Sequence, residues 1–196
     1  MRRGLFVLCA ALAVGGCSAT GPDPANQALT AGPTTSPPTT TSVPLTMPPR
    51  PRDIPLDKVA PCEILSKDQR KRLSLDTTPT PYTDSDLKAR ACTIRGTYSG
   101  AVARLALVTT EGVQLWISDE AQVEAKSATI VGFPGLIVRT PGLTTLCNVE
   151  VDLAEGQFLD VLFRDGGGAQ PIPQDDLCLG AQRVAEAAVT SLSTSR

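Results

Sequence analysis

LTTLCNVEVDL, residues 143–153, alternates with a period of two. Leu143, Thr145, Cys147, Val149, Val151 and Leu153 fall on one side of an extended chain. Thr144, Asn148, Glu150 and Asp152 fall on the other, and Leu146 breaks the pattern. A strand written this way buries one face and wets the other, which is the habit of antiparallel sheets. Glu155-Gly156 then reads as a turn, and QFLDVLFR (157–164) returns to complete a hairpin. After the loop RDGGGAQPIP (164–173), Leu177, Ala181, Val184, Ala188 and Leu192 recur at helical spacing, with Asp175 or Asp176 placed to cap that helix.

Upstream, CTIRGTYS (92–99) and AVARLALVTT (101–110) read as two strands joined at Ser99-Gly100. VQLWIS (113–118) reads as a third strand, DEAQVEAKSA (119–128) as a short helix, and FPGLIV (133–138) as a turn and short strand. DTTPTPYTDSD (76–86) reads as loop. PCEIL (61–65) gives a helical turn, and SKDQ (66–69) is a capping box that predicts a helix over 67–73. A helix, a run of hairpins and a final helix predict an α+β fold, an antiparallel sheet with N-terminal and C-terminal helices on one face.

The N-terminus has a different character. Arg2 and Arg3 precede an uncharged apolar run, Gly4 to Val14, too short to span a bilayer, in the layout of a secretion signal. The run ends Val14-Gly15-Gly16-Cys17, a lipobox pattern. It implies cleavage before Cys17 and a diacylglyceryl group on its thiol, a stable membrane anchor on the extracytoplasmic face. The segment 17–58, including GPTTSPPTTTSVPLTMPPRPRDIP (32–55), is rich in Pro and Thr and reads as a disordered tether. About 40 such residues reach at most roughly 120 Å. Thr34, Thr35 and Thr39 to Thr41 are candidate glycosylation positions, and the prolines are a candidate partner ligand. Residues 59–196 have the size of one domain.

Cys9 leaves with the leader and Cys17 takes the lipid, so Cys62, Cys92, Cys147 and Cys178 remain, an even set in an exported chain. Four cysteines allow three pairings. Cys62–Cys92 with Cys147–Cys178 is favoured, because each bond then pins a helix to a nearby strand. The absence of CxxC argues against zinc and thioredoxin-like sites.

Removing Arg2 and Arg3 with the leader takes the net charge from −2 to −4, which is no profile for nucleic acid. The chain has no His, so the usual general base and commonest metal ligand are missing. GxSxG and HExxH are absent, and a Ser-Lys mechanism would need a buried Lys58, Lys67, Lys71, Lys88 or Lys126, all in polar contexts. Paired carboxylates, Asp175-Asp176 or Glu150 with Asp152, could serve glycoside hydrolysis, but read more simply as a helix cap and a solvated strand face. The acids Asp84 to Asp86 lack the rest of a calcium loop, and Gly166 to Gly168 lack the lysine of a phosphate loop. No catalytic residue, metal or cofactor is expected.

Two basic groups and one aromatic are candidates for binding. Lys67, Arg70, Lys71 and Arg72 crowd one short helix and could meet anionic headgroups or polymers. Arg95, Arg104, Arg139 and Arg164 could share a sheet face, or form cross-strand pairs with Glu150, Asp152 and Asp160. Trp116, the single Trp, is a partner anchor or a core plug.

Taken in order, Cys17, the Pro-rich spacer, Pro61-Cys62-Glu63-Ile64-Leu65, Cys92, Val131-Gly132-Phe133-Pro134-Gly135, Cys147-Asn148-Val149-Glu150-Val151 and Asp176-Leu177-Cys178 with Ala181 and Ala185 resemble the DUF3558 lipoproteins of high-GC Gram-positive bacteria. Ile94 departs from the aromatic that group often carries two residues after its second Cys. The resemblance implies a Mog1/PsbP-like α-β sandwich and an exported binding or accessory module for an envelope protein or component, with no catalytic residues to carry over. The alternatives are a carrier of a small apolar ligand held between sheet and helix, and a carboxylate-dependent envelope enzyme.

Overall fold

The computed structural model describes residues 45–194. The leader, the lipobox with Cys17 and the candidate glycosylation threonines lie outside the described residues. Seven strands form one antiparallel sheet: β1 Thr80–Asp84, β2 Ala89–Arg95, β3 Ala101–Val108, β4 Glu124–Ile130, β5 Phe133–Arg139, β6 Leu146–Ala154 and β7 Gln157–Asp165. Their order is β1-β2-β3-β7-β6-β5-β4, two meanders joined where β3 pairs with β7.

Two helices accompany the sheet, α1 Lys67–Arg72 and α2 Gln174–Thr194. The expected capping box is present at α1: Ser66 Oγ accepts from Gln69 N, and Gln69 Oε1 accepts from Ser66 N. The same Gln69 donates through Nε2 to Ala187 O (3.0 Å) and Ser191 Oγ (2.8 Å), which holds α1 beside α2. The apolar stripe of α2, including Leu177, Ala181, Val184, Ala188 and Leu192, is buried with Cys147, Val149, Val151, Leu159, Val161 and Phe163 of the sheet. Contact is close enough that a Cβ on Gly180 would come within 2.6 Å of the Phe163 ring. Both favoured disulfides exist: Cys62 to Cys92 ties the 3-10 turn Pro61–Glu63 to β2, and Cys147 to Cys178 ties β6 to the first turn of α2.

Several expectations are corrected. Residues 76–86 contain strand β1. Its alternation is hidden because it is an edge strand with an exposed Tyr82, and Pro81 blunts that edge. VQLWIS is a 3-10 helix, Val113–Ile117, not a strand; a run of β-branched and aromatic residues suits any half-buried surface. The helix placed at 119–128 is a loop followed by edge strand β4. It pairs with β5 through the two-residue turn Val131-Gly132, both at positive φ, as a tight hairpin turn demands. Leu143 precedes β6 and is 48% exposed. Asp175 and Asp176 lie inside the first turn of α2 rather than at its cap, where the helix dipole favours them.

The largest correction concerns β6. Its second face, with Asn148, Glu150 and Asp152, is buried as well. The cover comes partly from residues placed in the tether. Leu45 and Met47 pack with Leu115, Trp116 and Ile117 against a second apolar cluster that includes Leu136, Val138 and Phe158. Ile54 and Leu56 are buried in the main core. Ile54 N donates to Leu153 O at 2.6 Å, and Arg90 donates to the carbonyls of Leu56, Asp57 and Val59. Proline content marks this stretch as non-helical, but an extended chain can still lie on a sheet as a strap.

Candidate functional site

Two sites of concentrated charge result, one buried and one open. The buried site follows from register. Glu150 on β6 stands opposite Asp160 on β7, and Asp160 stands opposite Ala106 on β3. Arg104, two residues before Ala106, reaches Asp160 Oδ1 through Nη2 (2.6 Å) and Asp84 Oδ2 through Nη1 (2.8 Å). Asn148 Nδ2 donates to Asp160 Oδ2 at 3.0 Å. Asp84 Oδ1 also accepts from Asp86 N and Leu87 N, which closes the β1–β2 turn. At the edge of this group Arg50 of the strap grips both oxygens of Asp152, at 2.8 and 2.9 Å.

The titration of these groups follows their surroundings. Burial pushes the Asp160 carboxyl up, and Arg104 opposes that shift. Burial pushes Asp84 up too, but the N–H groups of Leu87 and Asp86 with Arg104 hold it below its usual value. Burial raises Asp152 against the pull of Arg50. Glu150 has no exposed surface, and neither of its carboxyl oxygens has a hydrogen-bond partner of good geometry. Burial first, and then the Asp160 charge, push it well above the ordinary value of 4.5. Arg104 bonds Asp160 and not Glu150, so the negative charge of the pair is favoured on Asp160 and the proton on Glu150.

A stability prediction follows. The proton that folded Glu150 retains contributes stability that is fully present below the unfolded value near 4.5. It is lost as pH rises from there toward the raised folded value. Glu150→Gln removes that loss and offers Asp160 an amide donor. The variant is expected to be more stable than the parent at pH 7 by roughly 1–3 kcal/mol, with the gain vanishing near pH 4. Urea melts at the two pH values check this; a variant less stable at pH 7 would contradict it.

The open site is built by α1. Lys67, Arg70 and Lys71 sit at i, i+3 and i+4, one face of the helix, and line a hollow of about 710 Å³. Thr77, Thr78 and Pro79, leading into β1, form the opposite wall, with buried Leu75 between. Ser74 at φ 57 turns the chain back under the helix. Arg70 Nη1 donates to Thr77 O at 3.0 Å, while its Nε is buried without a partner. Asp68 and Asp76 complete the lining. Thr97 N donates to Asp76 Oδ1 at 2.6 Å, the main reason its carboxyl lies below the usual range.

The structure thus gathers three of the four expected α1 cations in one hollow. Arg72 turns instead into a neighbouring groove with Leu179 and Arg183. Trp116 is not near them; it packs on the second sheet face, half-buried, with its indole N–H buried and unpartnered. The four strand arginines do not form one surface. Arg104 is engaged in the buried cluster, Arg139 pairs with Asp175 of α2, Arg95 donates to Gly166 O, and Arg164 to Asp165 O. Composition could reveal the α1 cations, but not the wall opposite them, because 76–86 shows no period. Among the described residues no group of three or more His, Cys, Asp or Glu side chains is arranged to hold a metal ion.

No curated protein and no solved structure matches the chain. A family model described as "Protein of unknown function (DUF3558)" matches residues 12–191, which takes in the end of the apolar N-terminal run, Cys17, the Pro-rich segment, the whole sheet and nearly all of α2. On that match the chain belongs to the DUF3558 family.

Proposed function

We propose that the protein is a lipoprotein anchored through diacylglyceryl-Cys17 on the extracytoplasmic face of the cell membrane, and that its domain binds an envelope component without catalysing a reaction. The observation that carries this reading is the use of the cysteines. All four in the domain are consumed in two disulfides, the mark of an oxidising compartment, and Cys17 stands apart at the end of a lipobox. The family match begins at residue 12, so that leader end lies within the family pattern. Among the described residues no helix is long and apolar enough to cross a membrane.

Access supports the non-catalytic reading for the strand carboxylates: Glu150 and Asp160 are fully buried and Asp152 is held by Arg50, so they do not flank an open cleft. Asp175 is paired with Arg139. For the carrier alternative the α2 stripe leaves little room, because Leu177, Ala181, Val184 and Ala188 are buried against the sheet; the opening at that interface is a groove of about 380 Å³ at one end, between Ala101 and Phe163 of the sheet and Leu179 and Gly180 of α2. Metabolic labelling with an alkyne fatty acid tests the anchor. The parent chain is expected to take up label and Cys17→Ser to take up none; equal labelling of both, or labelling of neither, overturns it.

A further inference from the structure

We infer that the hollow between α1 and residues 77–79 binds phosphate groups, those of an anionic envelope polymer or of a lipid headgroup. The inference rests on the proposed envelope-binding role and names its ligand chemistry. Lys67, Arg70 and Lys71 converge on one concave site from a single helix face. Among the described residues the side chains of Lys67 and Lys71 make no ion pair or hydrogen bond, so their charge is available. Arg70 is fixed by the bond from its Nη1 to Thr77 O, which holds the guanidinium at the wall of the hollow. Thr77 and Thr78 supply polar groups on the facing wall. The volume, about 710 Å³, exceeds what a bare ion needs and suits a phosphate with its neighbouring backbone.

Two carboxylates also line the hollow: Asp76, whose Oδ1 accepts from Thr97 N, and Asp68 at the exposed start of the helix. They leave the three cations in excess. On a chain whose net charge is −2, the attraction of the hollow for anions is local rather than general.

The test uses the full chain, inserted through its own lipid into vesicles of neutral phosphatidylcholine, with a fluorescent short polyphosphate as probe. Anisotropy at low salt is expected to show binding that Lys67→Gln with Lys71→Gln weakens by about tenfold or more. Arg164→Gln, an exposed cation elsewhere, is expected to leave it unchanged. Phosphatidylglycerol added to the vesicles separates the two sources. Displacement of the probe assigns the site to headgroups, and undiminished binding assigns it to a polymer; either supports phosphate recognition. Absence of binding, equal binding by the double variant, or equal competition by polyglutamate overturns it. Fatty-acid labelling at Cys17 is independent of all these outcomes, so failure here is distinguishable from failure of the anchor.

Discussion

Arg104→Ala is expected to destabilise the domain by roughly 3–5 kcal/mol at neutral pH, the cost of leaving buried charges without a partner. Arg104 is the one cation bonded to both Asp84 and Asp160, from β3 to β1 and β7. Removing it leaves Asp160, fully buried, beside neutral Glu150 and the amide of Asn148. The damage cannot be relieved by solvent, because the second sheet face is covered. Arg104→Lys should recover only part of the loss, since one ammonium does not span both carboxylates as a guanidinium fork does. The deficit should shrink as pH falls and Asp160 takes up a proton. Urea melts of the three proteins at neutral and acid pH check this. A loss below about 1 kcal/mol would mean that the cluster is open to water and contributes little.

Loss of either disulfide ranks next. Each closes a loop of about 30 residues, for which chain-entropy arguments give roughly 3–4 kcal/mol. The Cys147–Cys178 bond is the more informative. It fixes the first turn of α2 to β6, and both sulfurs are buried, so Cys147→Ala with Cys178→Ala keeps the site apolar while cutting the link. The double variant is expected to melt about 3–4 kcal/mol less stable and to exchange its amides faster near the start of α2 than near Leu192. A change under 1 kcal/mol would show that packing of the α2 stripe alone sets the position of the helix.

How much of this could be read from the sequence depended on the kind of signal. The β6–β7 hairpin and α2 were readable because burial against a single partner layer leaves a clean period of 2 or 3.6. The pairing of cysteines followed, since each bond joins elements that were already placed. β1 and β4 were missed for the opposite reason: edge strands with mostly exposed side chains carry no apolar alternation. The second face of β6 was misjudged because Asn148, Glu150 and Asp152 are polar, and polarity alone does not separate solvated residues from buried ones with partners. Asp152 is held by Arg50, 102 residues away, and Asn148 by Asp160, which Arg104 holds in turn from 56 residues away. For the open site, the charges on α1 were visible. The concavity was not, because it depends on the reversal at Ser74 and on a wall that carries no periodic pattern.

The most direct test of the whole account is the intact mass of the protein extracted from its own membrane, alkylated without reductant. The account predicts a chain that begins at Cys17, heavier by a diacylglyceryl group, with no alkylated thiol, and that accepts four alkyl groups only after reduction and unfolding. A chain that begins at Met1, or one whose domain cysteines react without reduction, would contradict it.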